Sequence, residues 1–193
     1  MQKRSRILKE LLTIDIRYYN FTRFRVTMLK NSTHPVANEI CQSTKNAVRA
    51  LKDGFLKELH VVFYPGPESN EIVEMYKFSF QLPQDMKNTS PKEPGHQGDS
   101  DDIKSSSELI KKSTRQLLRA MSNYIQTCET LPATAQMGFR LIYNDDAPEG
   151  YNPPGFVSLS PNSMKTKFLD TPSDPITCGA IASNWHRVDV TMQ

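Results

Sequence analysis

The sequence is poor in the residues that mark disulfide-built, membrane-spanning and metal-dependent proteins. Three cysteines, Cys41, Cys128 and Cys178, are scattered over 193 residues. An odd, widely spaced set does not make a disulfide framework and fits a reducing compartment. No run approaches the roughly 18 apolar residues that a membrane helix needs, and the N-terminus has charge but no apolar signal core. The four histidines, His34, His60, His96 and His186, stand at no metal-ligand spacing to one another or to a cysteine. There is no G-x-S-x-G, no phosphate-binding loop and no dinucleotide glycine pattern. Asp145-Asp146 can be read as paired carboxylates, but neighbours on an extended chain point apart, and Asp ahead of Ala-Pro is ordinary turn chemistry. The expectation is a chain that is not an enzyme: no catalytic residues, no metal, no cofactor and no small-molecule substrate.

What is present is a globular composition, 37% hydrophobic and 23% charged, at a length that suits one domain over 1–193. The net charge of +3 is unevenly placed: residues 1–30 carry eight Lys/Arg against Glu10 and Asp15, which leaves the remainder at −3. The bland reading of that arm is a solvated amphipathic start. The alternative is a nucleic-acid-binding protein that uses the arm on phosphates.

His34-Pro35 reads as a helix start. Val36, Ile40, Val48, Leu51, Phe55 and Leu59 then recur at helical spacing, which predicts one helix to about Lys57 with those residues as its apolar face. "HVVFY" (60–64) is a short apolar run and reads as a buried strand. "EIVEMYKFSFQL" (71–82) alternates, with Tyr76, Phe78, Phe80 and Leu82 on one side and Met75, Lys77, Ser79 and Gln81 on the other, so the two runs make a hairpin. Residues 83–104 are mostly polar, with Met86 the one long apolar side chain before Ile103, and predict a flexible loop. Ser105 and Glu108 form a capping box, and Ile110, Leu117, Met121, Ile125 and Cys128 continue as a helical stripe to about Glu129. A third strand follows at "AQMGFRLIY", with Met137, Phe139, Leu141 and Tyr143 on one face. The order predicts an α+β fold, helices against one face of a mainly antiparallel sheet. Beyond Tyr143, Pro148, Pro153 and Pro154 stop the strand and predict a stiff, extended path. Residues 176–192 have the content of a terminal strand or hairpin.

Two blocks carry a resemblance. "LKELHVVFYPGPESNEIVEMYKFSFQL" (56–82) is similar to the hairpin of the HORMA domain, in its meiotic chromosome-axis branch. "LPATAQMGFRLIYNDDAPEGYNPPGF" (131–156) resembles that branch's third strand and following turn. The resemblance implies a single HORMA domain in which 144–193 is a safety belt, a C-terminal segment that wraps around a short closure-motif peptide. The peptide would add a strand to the free edge at Met137, Gly138, Phe139, Arg140, Leu141, Ile142 and Tyr143. The belt would pass over it, anchored by Tyr151, Pro153, Pro154, Gly155, Phe156 and Trp185, and dock its own hairpin on the opposite edge. The implied function is a non-enzymatic, peptide-clamping adaptor of the meiotic chromosome axis, in the nucleus and on chromosomes. It would act in homologue pairing, synapsis and recombination control. Its partners would be closure motifs of other axis proteins, with chromatin reached indirectly and no membrane. A spindle-checkpoint or DNA-repair HORMA adaptor is the alternative within the fold. The family also implies an apolar helix ahead of residue 35, where this chain has the short, basic "MQKRSRILKELL", and, in meiotic members, a tail beyond the belt, where this chain stops at Gln193. The expectation is a divergent or truncated N-terminal part at 1–30.

Overall fold

The computed structural model describes residues 35–81, 100–159, 167–169, 174–182 and 186–193, and the backbone alone for 100–107. The basic arm at 1–30, residues 83–99 of the expected loop, and Trp185 lie outside the described residues.

Helix α1 spans Pro35–Lys52 and opens on its proline as expected. It ends earlier than Lys57. The Gly54 N–H returns to the Leu51 carbonyl and the Phe55 N–H to the Ala50 carbonyl, both at 3.1 Å, with Gly54 at φ 80°. This pair of bonds is a Schellman closure, and it turns Phe55 and Leu59 out of the helix. The buried face also differs from expectation. Ala37, Ala47 and Ala50 are buried, whereas Val36 and Val48 are exposed. The packed face is set by small residues that let the helix approach closely, not by its largest apolar ones.

Strand β1 spans Leu56–Tyr64, four residues longer at its start than "HVVFY", and β2 spans Glu74–Gln81. They pair antiparallel, Val61 opposite Tyr76 and Phe63 opposite Glu74, as the hairpin requires. Helix α2 spans Ser100–Thr127, so 100–104 is helical rather than loop: Ser-Asp-Asp is itself a helix-start sequence. Strands β3 (Gln136–Tyr143), β4 (Ile176–Ala182) and β5 (Arg187–Met192) follow.

The five strands form one antiparallel sheet in the order β3-β1-β2-β5-β4. β5 lies beside β2, closed by Met75 and Gln193, whose backbone groups exchange hydrogen bonds at 2.7 and 3.0 Å. The C-terminal hairpin therefore occupies the side of the sheet away from β3. α2 packs across β4, with buried Leu117 against Gly179. Val62, Ile72 and Met75 make a core cluster against which Tyr64 and Phe168 pack. Leu56, Val62, Ile72, Val190 and Met192 are fully buried, each contributing about 1.5–3 kcal/mol. Among the described residues β3 has a strand on one side only.

Candidate functional site

The phase of β3 follows from two backbone bonds. The Phe63 carbonyl accepts from Val73 at 2.8 Å, and Asn144 donates to the Phe55 carbonyl at 2.9 Å. Main-chain groups alternate sides along a strand. Beyond the irregularity between Leu56 and Glu58, the even residues of β1 therefore face β3 and its odd residues face β2. In β3 the even residues face β1, so Met137, Phe139, Leu141 and Tyr143 turn their N–H and C=O groups to the open side. Gly138, Arg140 and Ile142 spend theirs on Val62, His60 and Glu58, the residues they oppose.

Immediately after β3 the chain turns three times. Ala147 donates to the Asn144 carbonyl at 3.2 Å, Tyr151 to that of Pro148 at 3.0 Å and Phe156 to that of Pro153 at 3.1 Å. The extended path expected from the prolines is thus replaced by a chain of tight turns. In Pro148-Glu-Gly and Pro153-Pro154-Gly155 the glycine takes the second position of the bend, at φ 75° and 82°, and proline-x-glycine is the stronger signal.

These turns are fastened to the end of α1. The Asn144 amide donates to the Gly54 carbonyl at 2.7 Å, the Tyr151 hydroxyl to Asp53 at 2.7 Å and the Asn46 amide to the Pro154 carbonyl at 2.6 Å. The Tyr151 ring meets Phe55 edge-on at 4.9 Å and Tyr143 at 5.4 Å. Burial and the Asp53 carboxylate push the Tyr151 phenol up to about 12. Pro153 is buried, Phe156 half-buried, and Pro154 and Gly155 exposed at the tip. The segment is held again at the far end of β1, where Ile72 exchanges backbone bonds with Lys167 and Leu169 at 2.8 and 2.9 Å. Phe168 joins the core cluster there, and Lys167 pairs with Glu71.

Between the open side of β3 and residues 144–159 lies a slot of about 540 Å³. Its lining includes all of β3 from Phe139 to Tyr143 together with Tyr151, Phe156, Val157 and Leu159. Val157 is 81% exposed, with nothing of the described chain covering it. Met137 and Gly138 continue the same edge beyond the slot's lining. An open ladder facing a largely apolar slot suits an extended peptide, which would bond to the main chain and bury alternate side chains.

The outward neighbours of this edge are polar. The Tyr64 ring lies across Gly138: a Cβ there would sit 3.1 Å from the ring's Cε2 and 3.4 Å from a Val62 methyl. Its hydroxyl accepts from Arg140 Nε and Nη2 at 3.1 and 2.9 Å. Beside Arg140, His60 bonds Glu58 at 2.7 Å. Burial alone would raise the Glu58 carboxyl, but the His60 bond and the Lys77 charge together hold it below its ordinary value.

The edge residues and the turn at 143–156 are visible in sequence. Asn46, Asp53, Asn144 and Tyr64 are not, because their partners lie far off along the chain and no local pattern announces them. Pro-x-Gly spacing was the signal for the turns.

Several solved structures share this fold. C. elegans HTP-2 bound to HTP-3 closure motif 1 superposes with a TM-score of 0.69 at 21% identity, covering 97% of this chain and 79% of that one. C. elegans HTP-1 bound to the HIM-3 closure motif gives 0.63 at 23% identity, covering 90% and 75%. A chain of the mitotic checkpoint complex gives 0.62 at 11% identity, covering 92% and 82%. Among curated protein sequences none matches. The HORMA domain model matches residues 9–186, and with the free β3 edge, the turns that follow it and the hairpin on the far side, this places the chain in the HORMA domain family.

Proposed function

We propose that this protein is a non-enzymatic, peptide-clamping adaptor of the meiotic chromosome axis. A short peptide adds to β3, the belt at 144–193 holds it there, and the chain acts on chromosomes in the nucleus in homologue pairing, synapsis and recombination control. The observation that carries the clamp is the outward main chain of β3, with Phe139, Leu141 and Tyr143 facing the slot and Met137 continuing the edge beyond it. The axis assignment is supported by the Asp-Ala-Pro and Tyr-x-Pro-Pro-Gly-Phe wording at 146–156 and by the likeness to HTP-1 and HTP-2, each bound to a closure motif. The implied partners are closure motifs of other axis proteins.

The test is an array of synthetic 12-residue peptides tiled across the organism's axis and spindle-checkpoint proteins, probed with the 193-residue chain. Retention of axis tiles is the expected result. Retention of checkpoint tiles alone would overturn the axis assignment, and retention of none would overturn the clamp. A fluorescently tagged chain is expected along meiotic chromosome axes.

A further inference from the structure

The slot's ladder of N–H and C=O groups reads no sequence, so discrimination falls on side chains that reach over the edge. Arg140 is the one charged side chain in the middle of that edge, and it lines the slot. It is a built feature. The flat surface at Gly138 lets Tyr64 lie across the strand, and the Tyr64 hydroxyl takes two of the guanidinium's donors. The guanidinium also stands 5.7 Å from the ring centroid. Tyr64 is braced in turn by the core cluster that Phe168 joins. Among the described residues no carboxylate pairs with Arg140. The nearest candidate across the ladder, Glu58, already holds His60 at 2.7 Å and faces Lys77 at 3.9 Å. Three guanidinium N–H groups are left in a fork that matches a carboxylate.

We propose that Arg140 makes the middle of the slot a carboxylate subsite, so that the captured peptide carries Asp or Glu opposite Arg140 and apolar residues on either side. The inference rests on the reading of the slot as a peptide clamp. Arg140 spends its main chain on β1, so a strand added antiparallel meets it at a non-hydrogen-bonded position. At such positions facing side chains come closest. The peptide residues before and after point to the other face, with Phe139 and Leu141, where apolar side chains are the better match.

A phage-displayed library of random 12-residue peptides, selected against the 193-residue chain, tests this. The unaltered chain is expected to enrich an apolar–acidic–apolar core. Arg140→Gln is expected to lose the acidic preference and Arg140→Glu to exchange it for Lys or Arg. Each variant's thermal melt is taken alongside. Should the Arg140 variants fail to fold, a selected acidic peptide and its amide version are titrated against the unaltered chain and Tyr64→Phe. On the unaltered chain the acid is expected to bind about tenfold more tightly, and on Tyr64→Phe that ratio should shrink. Peptides selected without an acidic position, or an acidic preference unchanged in Arg140→Gln, or an acid-to-amide ratio near one, would overturn the subsite and leave the clamp standing. Failure of the folded, unaltered chain to select any peptide would overturn the clamp and the subsite together.

Discussion

β3 and β4 are both edge strands, yet they differ in the properties that decide whether another strand can join. β4 breaks register between Thr177 and Gly179, its Gly179 sits at φ 136°, and α2 packs against it through Leu117. Irregularity and a covering helix are the usual ways to blunt an edge. β3 has neither. Its register with β1 is unbroken from Gln136 to Ile142, its open side faces a slot, and the chain that could have covered it stands off in three turns. The difference teaches that the exposure of β3 is organised: the same domain that closes one side of its sheet keeps the other side available.

The sharpest way to break this comparison is to place a proline at adjacent positions of β3. Leu141→Pro removes an N–H that faces the slot, where an edge strand tolerates it. It is expected to keep the fold and to lose peptide capture in fluorescence anisotropy. Arg140→Pro removes an N–H bonded to β1, where a paired strand does not accommodate proline, and is expected to destabilise the fold, seen as loss of a cooperative melt by circular dichroism. Equal behaviour of the two variants would mean that the phase assigned to β3 is wrong.

At the other edge, Gly179→Val forces a side chain into a backbone region that only glycine adopts readily. A cost of about 1–3 kcal/mol is expected, and for a domain of this size each kcal/mol lowers Tm by about 2–4 °C. Peptide affinity at β3, measured below the transition, should not change.

The fastening of the slot's wall gives a smaller effect. Tyr151→Phe removes the bond to Asp53 but keeps both ring contacts. A loss of about 0.5–1.5 kcal/mol is expected to appear as a two- to tenfold faster peptide off-rate in surface plasmon resonance. Asp53→Asn should do less, since an amide oxygen still accepts. If Tyr151→Phe alters only the melting temperature, the turns are structural and do not govern the slot.

The smallest effect concerns the polar face beside β3. Glu58 is held ionised by His60 and Lys77, so its pKa in the folded chain is lowered. Its contribution to stability is therefore present above the ordinary value of 4.5 and is lost as pH falls below it. Glu58→Gln is expected to lower stability by under about 1 kcal/mol at pH 7 and to converge with the unaltered chain as pH falls well below 4.5. Denaturant melts across that range check the sign.

Much of the fold could be read from the chain because its strands alternate cleanly and its helices start on strong signals. Pro35 marks the start of α1, and Tyr76, Phe78 and Phe80 fix the face of β2. The end of α1 misled because Phe55 and Leu59 happen to continue its spacing; Gly54, the residue that closes the helix, weighed too little against them. The alanine face misled for the opposite reason, since Ala37, Ala47 and Ala50 carry little hydrophobic signal. At the slot, the strand at 137–143 follows from its alternation, whereas its use as an edge and the segment beside it are expected from the resemblance of residues 131–156 alone. The side chains that hold them, Asn46, Asp53, Asn144 and Tyr64, act through partners that only the fold brings near.

The bonds that fasten the slot's wall share one property: Asn144 to Gly54 spans 90 residues, Tyr151 to Asp53 spans 98, and Pro154 to Asn46 spans 108. Contacts of that separation carry a large loop-closure entropy and form slowly compared with the β1–β2 hairpin. The wall thus assembles after that hairpin, as does β5 beside β2, where Met75 bonds Gln193, and the wall's exposed turn amides are expected to exchange early with solvent deuterium.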